Sequence, residues 1–279
     1  MTQEELEQVQ SIQLEIMDEV HRICVKNHIT YYMIAGTLLG SVRHSGFIPW
    51  DLDIDLAMMR DEYERFRTAC MRELDESFAY LDFRTIPDYA RPHALVSRKN
   101  TRLYLKYDRL NPKRENYGVY LDIFPLDNAP DQEALRRRQA RRLRWIKKFK
   151  DYRIPYSYSR SAQRRNMHYL VSALLRWIPV RAINGWQQRQ MQRYRGVETK
   201  CVCSMASKYA YEKQCMPREI YGKARLLDFC GRQYYAPEKY TEYLTRLYGD
   251  FMTLPPVEQQ RANLEVFAAL EMDHAADEE

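Results

Sequence analysis

Three aspartates alternate with apolar residues in one short stretch of the chain: Asp51, Asp53 and Asp55 are separated by Leu52 and Ile54. Side chains two residues apart on a strand face the same side, so the spacing predicts three carboxylates on one face and two apolar side chains on the buried face. Adjacent same-face positions are roughly 6.5–7 Å apart at the backbone, a span that carboxylates can close around one hard cation. Because three like charges repel each other, the pattern favours a Mg²⁺ (or Mn²⁺) site over aspartates that only cap or solvate a strand end.

The residues before the aspartates have the pattern of an anion site. An apolar, β-prone run at 31–35 ends at Gly36 and Thr37, and the apolar spacing over 38–42 predicts a short helix with Thr37 as its N-cap. Backbone N–H groups and the helix dipole can receive an anion at such a helix start. An anion site beside a cation site predicts a phosphate bridged to a metal.

Three blocks of the sequence resemble one known family. The matching residues are GTLLG at 36–40, RH at 43–44, GFIPWDLDID at 46–55, YGVYLDIFPLD at 117–127, LYGDFM at 247–252 and the Pro-Pro pair at 255–256. They resemble, in order and spacing, the signature of LicD-type phosphotransferases, which recurs in fukutin-related proteins and belongs to the nucleotidyltransferase-fold superfamily. The resemblance extends from about residue 10 to about residue 265. It implies an α+β fold with a nucleotidyltransferase-like mixed β-sheet core flanked by helices and a mainly helical C-terminal half.

A further carboxylate lies in a short apolar strand predicted at 119–124. A lone Asp122 between buried neighbours is costly unless it is paired or bound to metal. Asp127 is instead predicted to be a turn or cap residue. In the superfamily that the chain resembles, a carboxylate on a later strand completes the metal site and can act as base. The predicted catalytic and metal-binding residues are therefore Asp53, Asp55 and Asp122, with Asp51 in support.

The resemblance implies transfer of a phospho-alcohol, phosphocholine first, from a CDP-alcohol such as CDP-choline. The acceptor would be a hydroxyl of a cell-surface glycan, such as teichoic acid or lipopolysaccharide, or of its lipid-linked precursor, and CMP would leave. The metal would neutralise charge on the leaving phosphate, and Asp122 would take or orient the acceptor proton. The predicted phosphate- and nucleotide-binding residues are Gly36, Thr37, Gly40, Arg43 and His44.

The identity of the alcohol stays open. Choline predicts an aromatic enclosure, because a quaternary ammonium binds aromatic faces. Trp50, Tyr117 and Tyr120 lie beside the inferred site, although ordinary packing explains such aromatics equally well. Ethanolamine, ribitol and glycerol remain candidates, and the last two would need hydrogen bonds instead.

Composition indicates a folded globular protein. The chain has 279 residues, of which 45% are hydrophobic and 29% charged. No apolar run approaches the roughly 18 residues that span a bilayer, and the polar, acidic start at 2–6 predicts no signal peptide. We therefore expect a cytoplasmic protein.

The six cysteines are irregularly spaced, which argues against a disulfide framework. Four of them, Cys201, Cys203, Cys215 and Cys230, could in principle supply thiolates to zinc. Their spacing differs from the usual Cys-x₂₋₄-Cys pairs, so reduced structural thiols are favoured and zinc stays open.

Periodicity divides the chain into three parts. Residues 1–29 are predicted to be an N-terminal helix (3–27) that packs on the core, residues 30–130 a mixed sheet domain, and residues 131–279 a mainly helical region. The resemblance implies that residues 30–130 are the nucleotidyltransferase-like catalytic core. Within the core, a helix is predicted at 60–74 and strands at 78–86, 94–97, 103–107 and 119–124.

A basic run at 136–150 stands out in a chain of net charge +6. The run could bind an anionic membrane surface, a polyanionic acceptor or RNA, or it could simply be a solvated helix. If the acceptor is lipid-linked, peripheral contact with the inner membrane face is the favoured functional explanation. Nothing resembles a nucleic-acid-binding fold, so no nucleic acid partner is expected. Two rival functions remain: a nucleotidyltransferase that moves an NMP to a small molecule or protein, and a non-catalytic basic module that binds membrane or RNA.

Overall fold

The opening helix covers one side of the core. The computed structural model describes residues 2–105, 116–153, 161–256, 258, 260 and 267–272. Helix α1 spans Gln3–Lys26, as its apolar period predicts, and it begins at a capping box in which Thr2 and Glu5 bond reciprocally. Its inward stripe, from Leu6 to Ile23, is buried in the main hydrophobic core.

The core of the protein is a mixed β-sheet. Its strands are β1 (Tyr32–Met33), β2 (Asp55–Met59), β3 (Phe78–Leu81), β4 (Ala94–Arg98) and β6 (Tyr120–Ala129), in the order β1-β2-β6-β4-β3. The β2–β6 pair is parallel and the other pairs along this path are antiparallel. Strand β7 (Cys201–Cys203) pairs with the end of β6, and β8 (Cys215–Pro217) pairs with β7. Two further antiparallel pairs join β5 (Thr101–Leu105) to β11 (Phe267–Met272) and β9 (Arg225–Phe229) to β10 (Arg232–Ala236).

Helices flank this sheet and dominate the region after it. They are α2 (Ala35–His44), α3 (Arg60–Glu73), α4 (Glu133–Arg153), α5 (Ala162–Leu175), α6 (Val180–Met191), α7 (Tyr211–Gln214), α8 (Arg218–Tyr221) and α9 (Tyr240–Tyr248), with a 3-10 turn at Gln192–Tyr194. The predicted α+β class is confirmed. Among the described helices, none combines the length and the apolar character needed to cross a bilayer.

Two predicted strands have different bounds in the structure. Strand β3 ends at Leu81 rather than at 86, because Asp82 Oδ1 accepts the amide N–H groups of Arg84 (2.7 Å) and Thr85 (3.1 Å) and so closes a turn. Strand β5 begins at Thr101, and the last two residues of the strand predicted at 103–107 lie outside the described part of the chain.

Strand β6 is longer than predicted and carries a buried ion pair. The prediction that Asp127 is a turn or cap residue is wrong, because β6 continues to Ala129 and Asp127 is fully buried within it. Its two carboxylate oxygens accept Nε and Nη2 of Arg60 at 2.7 and 2.6 Å, and Arg60 is buried as well. A bidentate arginine satisfies both oxygens at once, which makes the buried charge tolerable.

Helix α1 also clamps the two segments that carry the aspartates. The buried Gln13 amide donates to the backbone carbonyl of Leu52 and, at 3.2 Å, to that of Tyr120. One side chain therefore joins the loop before β2 to the first residue of β6.

Candidate active site

Two cavities meet at the aspartates. The larger, the main cleft, has a volume of about 850 Å³ and is lined by Gly36, Trp50, Asp51 and parts of the chain after residue 207. The smaller, the side pocket, has a volume of about 300 Å³ and is lined by Asp122 and a set of basic side chains. The residues common to both walls are Ala35, Asp53, Asp55, Lys208 and Tyr209. A substrate in one cavity can therefore meet a second substrate in the other at Asp53 and Asp55.

The three alternating aspartates line the main cleft, but only one of them lies on a strand. Strand β2 begins at Asp55, so the prediction of a continuous strand through Asp51 and Asp53 is wrong. The reason is local: Asp51 Oδ1 accepts the amide N–H groups of Leu52 (3.0 Å) and Asp53 (3.4 Å), which holds this segment in a turn instead of a ladder. The predicted burial of Leu52 and Ile54 is nevertheless confirmed.

Asp122 lies beside Asp55 on the neighbouring strand. The two residues are register partners in the parallel β2–β6 pair, and the Asp122 amide donates to the Ile54 carbonyl at 2.9 Å. The Oδ1 atom of Asp122 receives two donors that the sequence did not reveal, Arg91 Nη1 at 3.0 Å and His93 Nε2 at 2.7 Å. Its Oδ2 atom accepts no hydrogen bond from the residues that the structure describes, and it remains free for a ligand in the side pocket.

The environment separates the protonation of these carboxyl groups. Burial, together with repulsion from Asp51 and Asp122, raises the pKa of Asp53 to about 7 and raises that of Asp55 well above its usual value. For Asp122, burial acts in the same direction, but Arg91 and His93 outweigh it and hold its pKa below the usual value. Asp122 is thus the weakest base of the set and keeps its charge.

This charge distribution fits a hard divalent cation. Asp53 and Asp55 accept no hydrogen bond from the described residues, so their carboxylate oxygens are available as ligands, and oxygen donors are those that Mg²⁺ prefers. A cation there would offset the repulsion that raises their pKa values. In the described part of the chain, however, no three His, Cys, Asp or Glu side chains already converge in metal-binding geometry. The Mg²⁺ (or Mn²⁺) site stays a prediction.

The start of helix α2 differs from its prediction. Its N-cap is Ile34 and not Thr37, so the predicted N-cap is wrong. Thr37 lies inside the helix, where its buried hydroxyl accepts the Asp55 amide N–H at 2.8 Å and ties β2 to α2. Ala35 has a left-handed φ of 47°, which lets the chain turn abruptly from β1 into the helix. Gly36 then faces the cleft, directly against the Asp51 carboxylate.

The other predicted phosphate-binding residues are distributed more widely. Arg43 lines the main cleft, with Nη1 donating to the Phe251 carbonyl at 3.0 Å and its guanidinium 5.9 Å from the Trp50 ring centroid. His44 packs edge-on against Trp50, with ring centroids 6.0 Å apart, and lines neither cavity. Gly40 lies against the backbone carbonyl of Gly46, where a side chain would collide. Its role in the structure is close packing of the helix on the following loop.

The predicted aromatic set does not come together. Trp50 lines the main cleft, but Tyr117 and Tyr120 line neither cavity. Tyr117 packs against Tyr89 at 5.6 Å between ring centroids, and the Tyr120 hydroxyl accepts Arg91 Nη2 at 2.5 Å while its ring lies 4.5 Å from that guanidinium. Tyr120 therefore helps to position Arg91 rather than to enclose a ligand.

Three other aromatic residues line the cleft beside Trp50. They are Tyr209, Tyr248 and Phe251, and the first two meet edge-on with ring centroids 6.4 Å apart. Sequence reasoning missed them, although the third block of the resemblance at 247–252 contains two of them and could have pointed there. With Trp50 they make up the aromatic lining of the main cleft, which we call the aromatic wall.

The basic run reaches the side pocket with one side of helix α4. Lys147, Lys150 and Asp151 line that pocket. Lys150 is buried, and its Nζ donates to Asn184 Oδ1 (3.2 Å) and Gln187 Oε1 (2.7 Å); burial lowers its pKa to about 8. Lys208, whose pKa is raised by the aspartates despite its burial, adds a cation where the two cavities meet.

The cysteines lie away from both cavities and carry free thiols. Cys201, Cys203 and Cys215 are on the paired strands β7 and β8, whereas Cys230 lies at the β9–β10 turn, where its amide donates to the Ser45 carbonyl at 2.7 Å. The fourth candidate zinc ligand is thus on a different element from the other three.

Comparison with known proteins agrees with this architecture. A family model described as the LicD/FKTN/FKRP nucleotidyltransferase domain matches residues 28–172. The lipopolysaccharide cholinephosphotransferase LicD of Haemophilus influenzae is 29% identical over 262 residues, which cover 92% of this chain and 94% of that protein. An uncharacterized protein of Rickettsia prowazekii is 26% identical over 117 residues, which cover 42% of this chain and 40% of that protein. Because the family model matches more than half of the chain, including the aspartates and the parallel strand pair, the chain belongs to the LicD/FKTN/FKRP family of nucleotidyltransferase-fold proteins.

Proposed function

We propose that this protein transfers phosphocholine from CDP-choline to a hydroxyl of a cell-surface glycan, or of its lipid-linked precursor, and releases CMP. The observation that carries the proposal is the position of Asp53 and Asp55, which lie where the main cleft with its aromatic wall meets the side pocket that Asp122 lines. The near full-length similarity to a lipopolysaccharide cholinephosphotransferase supports the choice of reaction.

The donor occupies the main cleft. Asp53 and Asp55 would hold Mg²⁺ (or Mn²⁺), which when bound supplies positive charge to the donor diphosphate. Lys208 contributes a cation at the same junction, and the start of α2, where Gly36 lines the cleft, would face the phosphate. The trimethylammonium group packs on Trp50, Tyr209 and Tyr248, since aromatic faces attract such a cation.

The acceptor hydroxyl enters from the side pocket. Asp122, kept ionised by Arg91 and His93, orients the hydroxyl through its free Oδ2 and receives the proton as the new bond forms. Little proton transfer is required early, because phosphoryl transfer depends mainly on position and charge. The low pKa of Asp122 is therefore compatible with this role.

Product analysis tests the proposal. The purified protein is incubated with Mg²⁺, an acceptor glycan and CDP-choline labelled in the choline methyl groups; we expect CMP and labelled glycan in equal amounts. Asp53→Asn and Asp122→Asn should each reduce turnover by at least two orders of magnitude. Glu76→Gln, which removes an exposed carboxylate in the turn before β3, is the control and should leave turnover unchanged.

Other products would identify the rival functions. Free phosphocholine with a cytidylylated acceptor would mean nucleotide transfer by the same fold. Membrane or RNA binding that survives Asp53→Asn, with no turnover of any CDP-alcohol, would mean a non-catalytic module. If CDP-ethanolamine, CDP-glycerol or CDP-ribitol is turned over faster than CDP-choline, then its alcohol, and not choline, is the one transferred.

A further inference from the structure

Helix α5 presents an apolar stripe to solvent. Leu170 is 58% exposed, Leu174 is 71% exposed, and Trp177, in the turn just after the helix, is 80% exposed; Met167 precedes them on the same side. Spacings of three and four residues put these side chains on one helical face. The opposite face packs on α4, where the Ser172 hydroxyl donates to the Arg153 carbonyl at 3.1 Å. An outward apolar stripe of this kind marks an interaction surface.

Helix α4, which packs against α5, carries exposed aromatic and basic side chains of its own. Trp145, Lys148 and Tyr152 follow each other at helical spacing on the exposed side of α4, and Tyr152 stacks on His168 of α5 with ring centroids 6.0 Å apart. Lys148 lies 5.8 Å from the Trp145 ring centroid. We call the set Trp145, Lys148, Met167, Leu170, Leu174, Arg176 and Trp177 the α4–α5 surface.

The turn that carries Trp177 is firmly held. Arg153 donates through Nε to the Ile178 carbonyl at 2.7 Å and through Nη2 to the Arg176 carbonyl at 3.2 Å. The Arg176 guanidinium in turn lies 4.9 Å from the Trp177 ring centroid. The tryptophan is therefore presented to solvent on a fixed scaffold beside a cation.

Charge decides which partner this surface fits. Helix α4 carries ten basic and two acidic residues, and residues 161–191 carry five arginines and no acidic residue, whereas the whole chain has a net charge of only +6. A second copy of the chain would bring like charges together. An anionic bilayer offers both a negative surface for the cations and an apolar interior for the stripe, and tryptophan suits the boundary between them.

We propose that the α4–α5 surface docks the protein on an anionic membrane, with Leu170, Leu174 and Trp177 entering the headgroup region while Lys148 and Arg176 meet lipid phosphates. The opposite side of α4 lines the side pocket through Lys147 and Lys150. A single helix thus separates the membrane from the acceptor pocket. This last consequence rests on the proposed function: an acceptor anchored in that membrane by a lipid would reach the side pocket directly.

Vesicle flotation tests the docking. The full-length protein is mixed with vesicles of phosphatidylcholine alone or with about one third phosphatidylglycerol; we expect binding only to the anionic vesicles and its loss in high salt. The triple variant Leu170→Ser, Leu174→Ser, Trp177→Ser should bind at least tenfold more weakly with an unchanged melting temperature, since these side chains are exposed. The control Met71→Ser, Leu226→Ser alters two other apolar residues that are more than half exposed, and it should bind like the wild type.

Two results would overturn the proposal. One is equal vesicle binding by the triple variant and the wild type, or no binding by either. The other is a wild-type dimer in sedimentation that the triple variant converts to monomer, which would assign the surface to self-association. Measurements of turnover separate this inference from the proposed function. The triple variant should act normally on a soluble acceptor and at least tenfold more slowly on a lipid-linked one. A wild-type protein that floats with vesicles but turns over no CDP-alcohol would refute only the proposed phosphocholine transfer.

Discussion

Replacing Gly36 by alanine should damage the site without damaging the fold. Gly36 lies in the first turn of α2, and a Cβ atom there would overlap the Asp51 carboxylate by about one ångström relative to ordinary contact at 3.4 Å. Asp51 has to move, because the helix backbone of α2 is fixed by its own hydrogen bonds. Since Asp51 Oδ1 also holds the amide groups of Leu52 and Asp53, the displacement passes to the main chain of Asp53.

The size of the effect follows from that displacement. A misplacement of about 1 Å at a reacting centre costs about 10²-fold in rate, or roughly 2.7 kcal/mol of transition-state stabilisation. We therefore expect kcat/KM for CMP release from CDP-choline to fall about 100-fold. The free energy of unfolding should change by less than about 1 kcal/mol. Alanine stabilises a helix relative to glycine by about this amount, which offsets the strain caused by moving Asp51.

Two comparisons make the prediction refutable. Gly185→Ala in α6, where a Cβ would meet no atom within 4 Å, is the control and should keep full activity with equal or higher stability. If the Asp51 carboxylate transmits the effect, Gly36→Ala should add nothing to the loss caused by Asp51→Ala. Full activity of Gly36→Ala, or losses that simply add in the double variant, would refute this reasoning.

Three further predictions concern buried charges. Asp127→Asn leaves the buried Arg60 guanidinium without its carboxylate, so the free energy of unfolding should fall by about 3–5 kcal/mol and the melting temperature in calorimetry by about 10 °C or more. The double variant Arg60→Met, Asp127→Leu should regain most of this stability. A loss below about 1 kcal/mol in Asp127→Asn would contradict the role of the pair. Burial lowers the pKa of Lys150 to about 8, so between pH 8 and 9.5 the unfolded chain binds one proton more than the folded protein. Over this range the free energy of unfolding of the wild type should rise by up to about 1.4 kcal/mol per pH unit relative to that of Lys150→Met. Denaturant titrations measure this difference, and the same pH dependence in both proteins would contradict the prediction. Arg91→Met removes a cation that lowers the pKa values of both Asp53 and Asp122, so the acid limb of the kcat/KM profile should move to higher pH. An unmoved limb would show that neither carboxylate sets the acid limb.

Sequence reasoning found the elements of the site better than their boundaries. The alternation of Leu52 and Ile54 with the aspartates correctly predicted which side chains are buried, because burial follows the direction of the chain whether or not it is hydrogen-bonded as a strand. The same alternation wrongly extended the strand to Asp51, since a carboxylate that bonds to following amide groups competes with sheet pairing. Thr37 was wrong as an N-cap because the left-handed Ala35 begins the helix two residues earlier.

Other parts of the site have no local signal. Arg91 and His93 lie in an irregular segment about thirty residues before Asp122, and only the antiparallel β4–β6 pairing brings that segment to Asp122. Tyr209 belongs to a loop far along the chain from Trp50, so no spacing rule could join them. Asp127 looked like a turn residue because it follows Pro125, and its partner Arg60 is too distant in sequence to give a local signal.

The parallel pairing of β2 with β6 has a consequence for how the chain selects its native alignment. Asp55 faces Asp122 near the start of this pair, and the helix that follows β2 supplies Arg60 to Asp127 near its far end. If the β2–β6 pairing slipped by one residue, Asp122 would turn to the opposite face of the sheet. The Arg60 guanidinium would then be buried without its carboxylate partner. The ion pair between Arg60 and Asp127 therefore favours the native strand register, and the same register places Asp55 beside Asp122.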